Sequence, residues 1–197
     1  MSWNKRYERE EYLFGTAPAD YLVRYAPVLP SRARVLCVAD GEGRNSVYLA
    51  SLGHEVTAFD PAPAAVEKAR KLAARKGVHV AFNIAGIEDW DWTAQFDAVV
   101  GIFIQFVGPK WRARLFTQLA GAVKPGGLLL LHGYAPRQVE YGTGGPGDAR
   151  NMYDDALLRA AFEGWQIDTL RDYDAMVDEG EGHYGKSALV DFVARKP

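Results

Sequence analysis

Between Cys37 and Asp60 the chain carries the acidic glycine turn Asp40-Gly41-Glu42-Gly43, and seventeen residues after Gly43 comes another acid, Asp60. Glycines let the backbone take positive φ and approach a ligand with no Cβ in between. An acid at that spacing accepts hydrogen bonds from ribose hydroxyls. The charge of the turn then selects among nucleosides. A pyrophosphate at a helix N-terminus is stabilised by backbone amides and the helix dipole, and Asp40 and Glu42 oppose it. A cationic guest without phosphate suits such a turn better. S-adenosylmethionine has that chemistry, with an adenosine, an ammonium and a sulfonium. No metal is expected.

The elements around the turn are those that would position it. Val35 to Ala39 reads as a buried strand, Asn45 to Leu52 as a helix, and Glu55 to Phe59 as a second strand ending on Asp60. That order of strand, turn, helix, strand and acid is a nucleotide-binding βαβ unit. Pro61 and Pro63 open a helix whose stripe is Val66, Ala69, Leu72 and Ala73, with Gly77 as its stop. His79 to Ile84 reads as a third strand. The segment AGIEDWDW follows it at the adenine position, with Ile87 to pack on a ring and Glu88 to accept from its amine.

Phe96 to Ile104 is the most apolar stretch and reads as a central strand next to the first, delivering Gln105 and Phe106 to the carboxyl edge where open α/β sheets bind ligands. Lys110 to Val123 reads as a helix, Pro125-Gly126-Gly127 as a tight turn and Leu128 to His132 as a fifth strand. The long glycine-rich loop from Gly133 to Tyr153 holds Arg137 and Tyr141 as candidate acceptor-positioning groups. Asp154 caps a short helix. Trp165 to Tyr173 and Ser187 to Ala194 read as two antiparallel strands joined by a turn that holds His183, the first choice for a general base, with His132 as the second. Before all of these, residues 1–31 are dense in aromatics, including Trp3, Tyr7 and Phe14, and read as a cover or lid.

Bulk properties narrow the function. With 197 residues and 48% hydrophobic content, one well-filled α/β domain is expected. A net charge of -2 offers no basic field for nucleic acid, and a single cysteine rules out an internal disulfide framework. The first residues place charges where a signal peptide needs an apolar core, and no run reaches membrane-spanning length, so a cytoplasmic protein without membrane partners is expected, as a monomer or weak dimer.

Taken together, WNKRY and YLFGTAP at the start, VLCVADGEGRNSVYLA, VTAFD, FDAVVGIF, KPGGLLLL, YGTGGP and the closing GEGHYGKSALVDFVARKP resemble class I S-adenosylmethionine-dependent methyltransferases, in particular the small tellurite-resistance and thiopurine type. The resemblance implies a Rossmann-like open sheet of seven strands, mostly parallel with the last antiparallel and helices on both faces. It implies S-adenosylmethionine over Gly41 and Gly43 with Asp60 on its ribose, and a small thiol, selenium or tellurium acceptor. Candidate contacts are Ala39, Asp40, Arg44 and Asn45 at the turn, Pro61 beside the acid, Ile87 and Glu88 at the adenine, and Ile102 at the end of the central strand. Gln105, Arg137, Tyr141 and His183 are the candidates on the acceptor side. The chain departs from the pattern at Cys37, Ala39, Gly86 and Gln105. The alternatives are a non-catalytic S-adenosylmethionine-binding module and an NAD-dependent oxidoreductase, which would need a turn that accepts phosphate.

Overall fold

The computed structural model describes residues 3–180 and 182–197. Met1 and Ser2 of the expected cover, and Glu181 of the turn before the last strand, lie outside them. The strands are β1 (Arg34–Val38), β2 (Glu55–Asp60), β3 (Ala81–Ile84), β4 (Phe96–Ile102), β5 (Val123–Tyr134), β6 (Gln166–Asp178) and β7 (Tyr184–Arg195). The helices are α1 (Trp3–Tyr7), α2 (Asp20–Tyr25), α3 (Arg44–Ser51), α4 (Pro63–Lys76), α5 (Pro109–Ala122), α6 (Gln138–Tyr141) and α7 (Asp155–Ala161). They build the seven-stranded, mostly parallel Rossmann-like sheet that the sequence predicts.

The chain gathers into two compact units, residues 1–91 with 179–182, and residues 92–178 with 183–197. In the first, β3, β2 and β1 lie side by side in parallel, Val35 pairing with Val56 and Thr57 with Ala81. Val35 to Val38 are buried because helices and strands leave this short apolar run no solvent face. Helix α4 begins on Pro63, turns Ala65, Val66, Ala69, Leu72 and Ala73 inward, and stops at left-handed Gly77. In the second unit the order is β4-β5-β7-β6, with β4 and β5 parallel and β7 antiparallel to both its neighbours. Asp154 accepts from the Leu157 amide at 2.8 Å and caps α7, as its sequence predicts.

The largest differences from expectation lie at the start of β5 and in the arm formed by β6 and β7. The Pro125-Gly126-Gly127 segment does not separate helix from strand; β5 runs through it, with a register shift between the pairs Phe96–Val123 and Ala98–Leu128. A Cβ on Gly127 would lie 2.8 Å from the Asp97 carbonyl oxygen, so glycine here serves close backbone approach in a bulge. The last two strands extend beyond Tyr173 and start before Ser187, pairing Asp178 with Tyr184. Of the added β6 residues only Val177 is buried, so the apolar pattern gave no sign of the arm.

Candidate active site

In the first unit, β1 ends at Val38 and the chain enters the turn through Ala39, a non-glycine residue at φ +48°. Gly41 and Gly43 follow at φ +59° and +86°. The turn is closed by its own amides. Asp40 N donates to Phe59 O at 3.1 Å and Gly43 N to Asp40 O at 3.3 Å, while Gly41 N donates to Asp60 Oδ2 at 3.0 Å. The other Asp60 oxygen accepts from Ala62 N at 2.9 Å. The acid at the end of β2 is therefore fixed by one amide from the turn and one from the entrance to α4.

The glycines have different tasks. A Cβ on Gly43 would stand 2.6 Å from the Ala69 Cβ, so this glycine lets α3 pack against α4. A Cβ on Gly41 would meet the Tyr7 hydroxyl at 3.1 Å. The polar residues of the turn are fastened as well. Glu42 accepts from Leu13 N at 2.8 Å and pairs with Lys68 at 2.8 Å. Arg44 pairs with Glu179 at 2.6 Å, and Asn45 Oδ1 accepts from Ala19 N at 3.0 Å. Thus three of the motif's polar side chains hold the N-terminal segment and the 179–182 turn in place.

Electrostatics at the turn favour a cation. Burial pushes the Asp40 carboxyl up to about 7, with Asp60 adding to the rise and the Ser46 hydroxyl, which donates to Asp40, opposing it. Burial also raises Asp60, against the Ala62 and Gly41 amides, and Glu42 raises it further. With the Asp40, Gly41 and Gly43 amides spent on protein oxygens, a phosphate would meet acids where it needs donors. Cys37 is buried and its thiol is pushed well up by that burial, the state of a packing residue rather than a nucleophile.

The remaining candidates of this unit are placed as follows. Pro61 and Glu88 are exposed and Ile87 is buried, in a turn closed by Trp90 N donating to Gly86 O at 3.0 Å. Trp90 stacks on Phe59 at 4.4 Å, fixing this turn to β2. Relief of the left-handed backbone at Ala39 gives a direct prediction: Ala39→Gly is expected to stabilise the fold by about 0.5–1 kcal/mol, read as a raised urea midpoint at unchanged slope.

In the second unit, Ile102 ends β4 in register with His132 and is half-buried. Phe103 follows at φ +55°, its amide donating to His132 O at 2.8 Å. Its ring lies 4.0 Å from the buried His183 imidazole and 4.9 Å from that of His132, while Tyr134 meets His183 edge-on at 5.9 Å. Strained backbone concentrates at functional positions, and Phe103 carries it among these rings. His132 Nδ1 lies 2.8 Å from Asp191 Oδ1, which also accepts from the Tyr173 hydroxyl at 3.0 Å.

Gln105 grips the Tyr134 backbone, accepting from its amide at 2.6 Å and donating to its carbonyl at 2.8 Å. Arg137 binds Asp174 at 2.7 Å and Asp172 at 2.5 Å, and Tyr141 donates to Asp174 at 2.6 Å, tying α6 to β6. Sequence reasoning missed Phe103, Tyr173 and Asp191. Asp191 had a signal, an acid inside the apolar run ALVDFVA, which a buried strand carries only when the charge is satisfied.

A family model described as methyltransferase domain matches residues 35–127. That stretch, which runs from β1 into β5, is therefore similar to a methyltransferase domain. The ubiquinone biosynthesis O-methyltransferase of Methylocella silvestris is 36% identical over 108 residues, 54% of this chain and 41% of that protein. The chain therefore spans less than half the length of that curated relative. Among solved structures, one from work on the conversion of a disulfide bond into a thioacetal group during echinomycin biosynthesis superposes with a TM-score of 0.76 at 21% identity, covering 96% of this chain and 85% of that one. TehB from Haemophilus influenzae gives 0.73 at 17% identity, covering 89% and 61%. The magnesium protoporphyrin IX methyltransferase of Synechocystis with bound S-adenosylmethionine gives 0.63 at 17%, covering 90% and 75%. Among the described residues no helix is long and apolar enough to cross a membrane.

Proposed function

We propose that the chain acts as one methyltransferase domain, transferring a methyl group from S-adenosylmethionine to a small-molecule acceptor. The observation that carries this is the donor set of the glycine turn, rich in carboxylates and with three of its four amides spent on protein oxygens, which suits a phosphate-free cationic nucleoside. An NAD-dependent oxidoreductase would need the reverse. When bound, the cofactor supplies an activated methyl group on a good leaving group. Asp60 has roughly four acceptor sites as a carboxylate and uses two on backbone amides, leaving the others for ribose hydroxyls. Gly41 presents bare backbone to the ligand and Ala39 adds only a methyl, Asp40 offers a counter-charge to its ammonium, and Ile87 offers apolar cover to its adenine.

Two acceptor classes divide on the need for a base. A thiol, selenium or tellurium acceptor is soft and needs chiefly desolvation. A phenolic hydroxyl must lose a proton, and His183, buried against Phe103, is the group for that task. The methyltransferase relatives named for O-methylation favour this second reading. Gln105, through the Tyr134 backbone, keeps the ring cluster in register, and Arg137 and Tyr141 hold the loop.

Calorimetry with S-adenosylmethionine, S-adenosylhomocysteine and NAD tests the cofactor. Micromolar binding of the two adenosyl ligands, lost in Asp60→Ala, is the expected result; tighter NAD binding sinks it. Binding with no turnover against thiol, selenite, tellurite and catechol acceptors would instead support a non-catalytic module. His183→Ala is expected to cut turnover of a hydroxyl acceptor by about 100-fold or more and to spare a thiol acceptor and cofactor affinity. Equal turnover of the hydroxyl acceptor by variant and wild type would remove His183 from the chemistry.

A further inference from the structure

The acidic turn poses a problem for an amino-acid ligand. Such a ligand has a carboxylate as well as an ammonium, and the amides of Asp40, Gly41 and Gly43 already donate to Phe59 O, Asp60 and Asp40 O. The carboxylate needs a donor that remains a donor among acids. Tyr7 meets this requirement. It is 6% exposed, and its hydroxyl stands 3.1 Å from where a Gly41 Cβ would be. Burial raises its pKa, as do Asp60, Glu42 and Asp40 around it, with only Arg6 opposing. The hydroxyl therefore stays protonated at any working pH.

The position of Tyr7 is built rather than incidental. Its ring packs with Leu13, Ala62 and Ala65, and stacks on Trp3 at 5.8 Å. Asn4, one turn before it, accepts from Ala64 N at 3.0 Å and so seats α1 on the first turn of α4. Glu42 holds Leu13, and Lys68 donates to the Glu11 carbonyl at 2.7 Å. The segment is fastened at both ends of the tyrosine, which makes it a wall of the turn.

We infer that Tyr7 is a ligand-contacting residue whose hydroxyl donates to the carboxylate of the amino-acid end of an adenosyl ligand bound at Gly41. This rests on the cofactor proposed above. Residues 35–127 do not include it, so the matched domain assigns nothing to this position.

The test compares three adenosyl ligands by calorimetry on wild type and Tyr7→Phe: S-adenosylmethionine, S-adenosylhomocysteine and 5′-methylthioadenosine, which lacks the amino-acid end. Phenylalanine keeps the ring and its packing. A donor to a charged acceptor is worth roughly tenfold or more in affinity. The variant should lose about that factor for the first two ligands and stay within about twofold for the third. An equal loss for all three would make Tyr7 a packing residue, and no loss for S-adenosylhomocysteine would remove the contact; either overturns the inference. Failure of the underlying cofactor reading shows separately, as wild type that binds none of the three.

Discussion

Gly43→Ala is expected to lower the unfolding free energy by about 2–5 kcal/mol. Two costs combine. At φ +86° an alanine pays the left-handed penalty of about 1–2 kcal/mol. Its Cβ would also lie 2.6 Å from the Ala69 side-chain methyl and 2.9 Å from the Ala69 backbone, and overpacking of that kind costs about 1–3 kcal/mol. Removing the methyl leaves the backbone clash in place, so Ala69→Gly in the same chain should recover only part of the loss. Urea unfolding of the single and double variants measures both numbers. A Gly43→Ala protein with a wild-type midpoint would mean that α3 and α4 separate freely, and the role given to this glycine would fall.

Stability should also depend on pH through Asp40. Its carboxyl titrates at about 7 in the folded chain and near 3.9 when unfolded. A raised acid favours its protonated form in the fold, so the contribution is fully present below about pH 4 and is lost as pH rises through about 7. Over that window the loss is on the order of 2–4 kcal/mol. Asp40→Asn should flatten this part of the profile in unfolding experiments at pH 5 and pH 8; an unchanged slope would assign it to another group. Binding of a cationic ligand should show the opposite sign. The ligand favours ionised Asp40, so affinity for S-adenosylmethionine should strengthen as pH passes from 6 to 8.

The sequence made the frame legible where local chemistry dictates it. Val35 to Ala39 has no polar face, the two glycines break the chain where positive φ is required, and Asp60 stands at the spacing of a ribose-binding acid. The uses of Glu42, Arg44 and Asn45 were hidden because their partners Leu13, Glu179 and Ala19 lie 29, 135 and 26 residues away. No periodicity reports such pairs. Arg137 and Tyr141 show the same limit: their residue types suit acceptor binding, and only the fold shows them engaged with Asp172 and Asp174 on β6. Phe103 was read as the tail of a strand, since an apolar run carries no mark of the residue at which it turns left-handed.

The division of the chain into units bears on how the protein can be cut. The polypeptide leaves the first unit after Asp91, returns for residues 179–182 and leaves again. That brief return carries Glu179, whose carboxylate neutralises Arg44 where the two side chains are only 11% and 8% exposed. A fragment confined to residues 35–127 would keep the whole matched stretch, yet strip Glu42 of Leu13 and Arg44 of its Glu179 counterion. Truncation to the matched segment is therefore the wrong way to make a smaller version. Engineering that opens the chain elsewhere, for instance by circular permutation at an exposed loop, has to preserve the 179–182 insertion in its entirety.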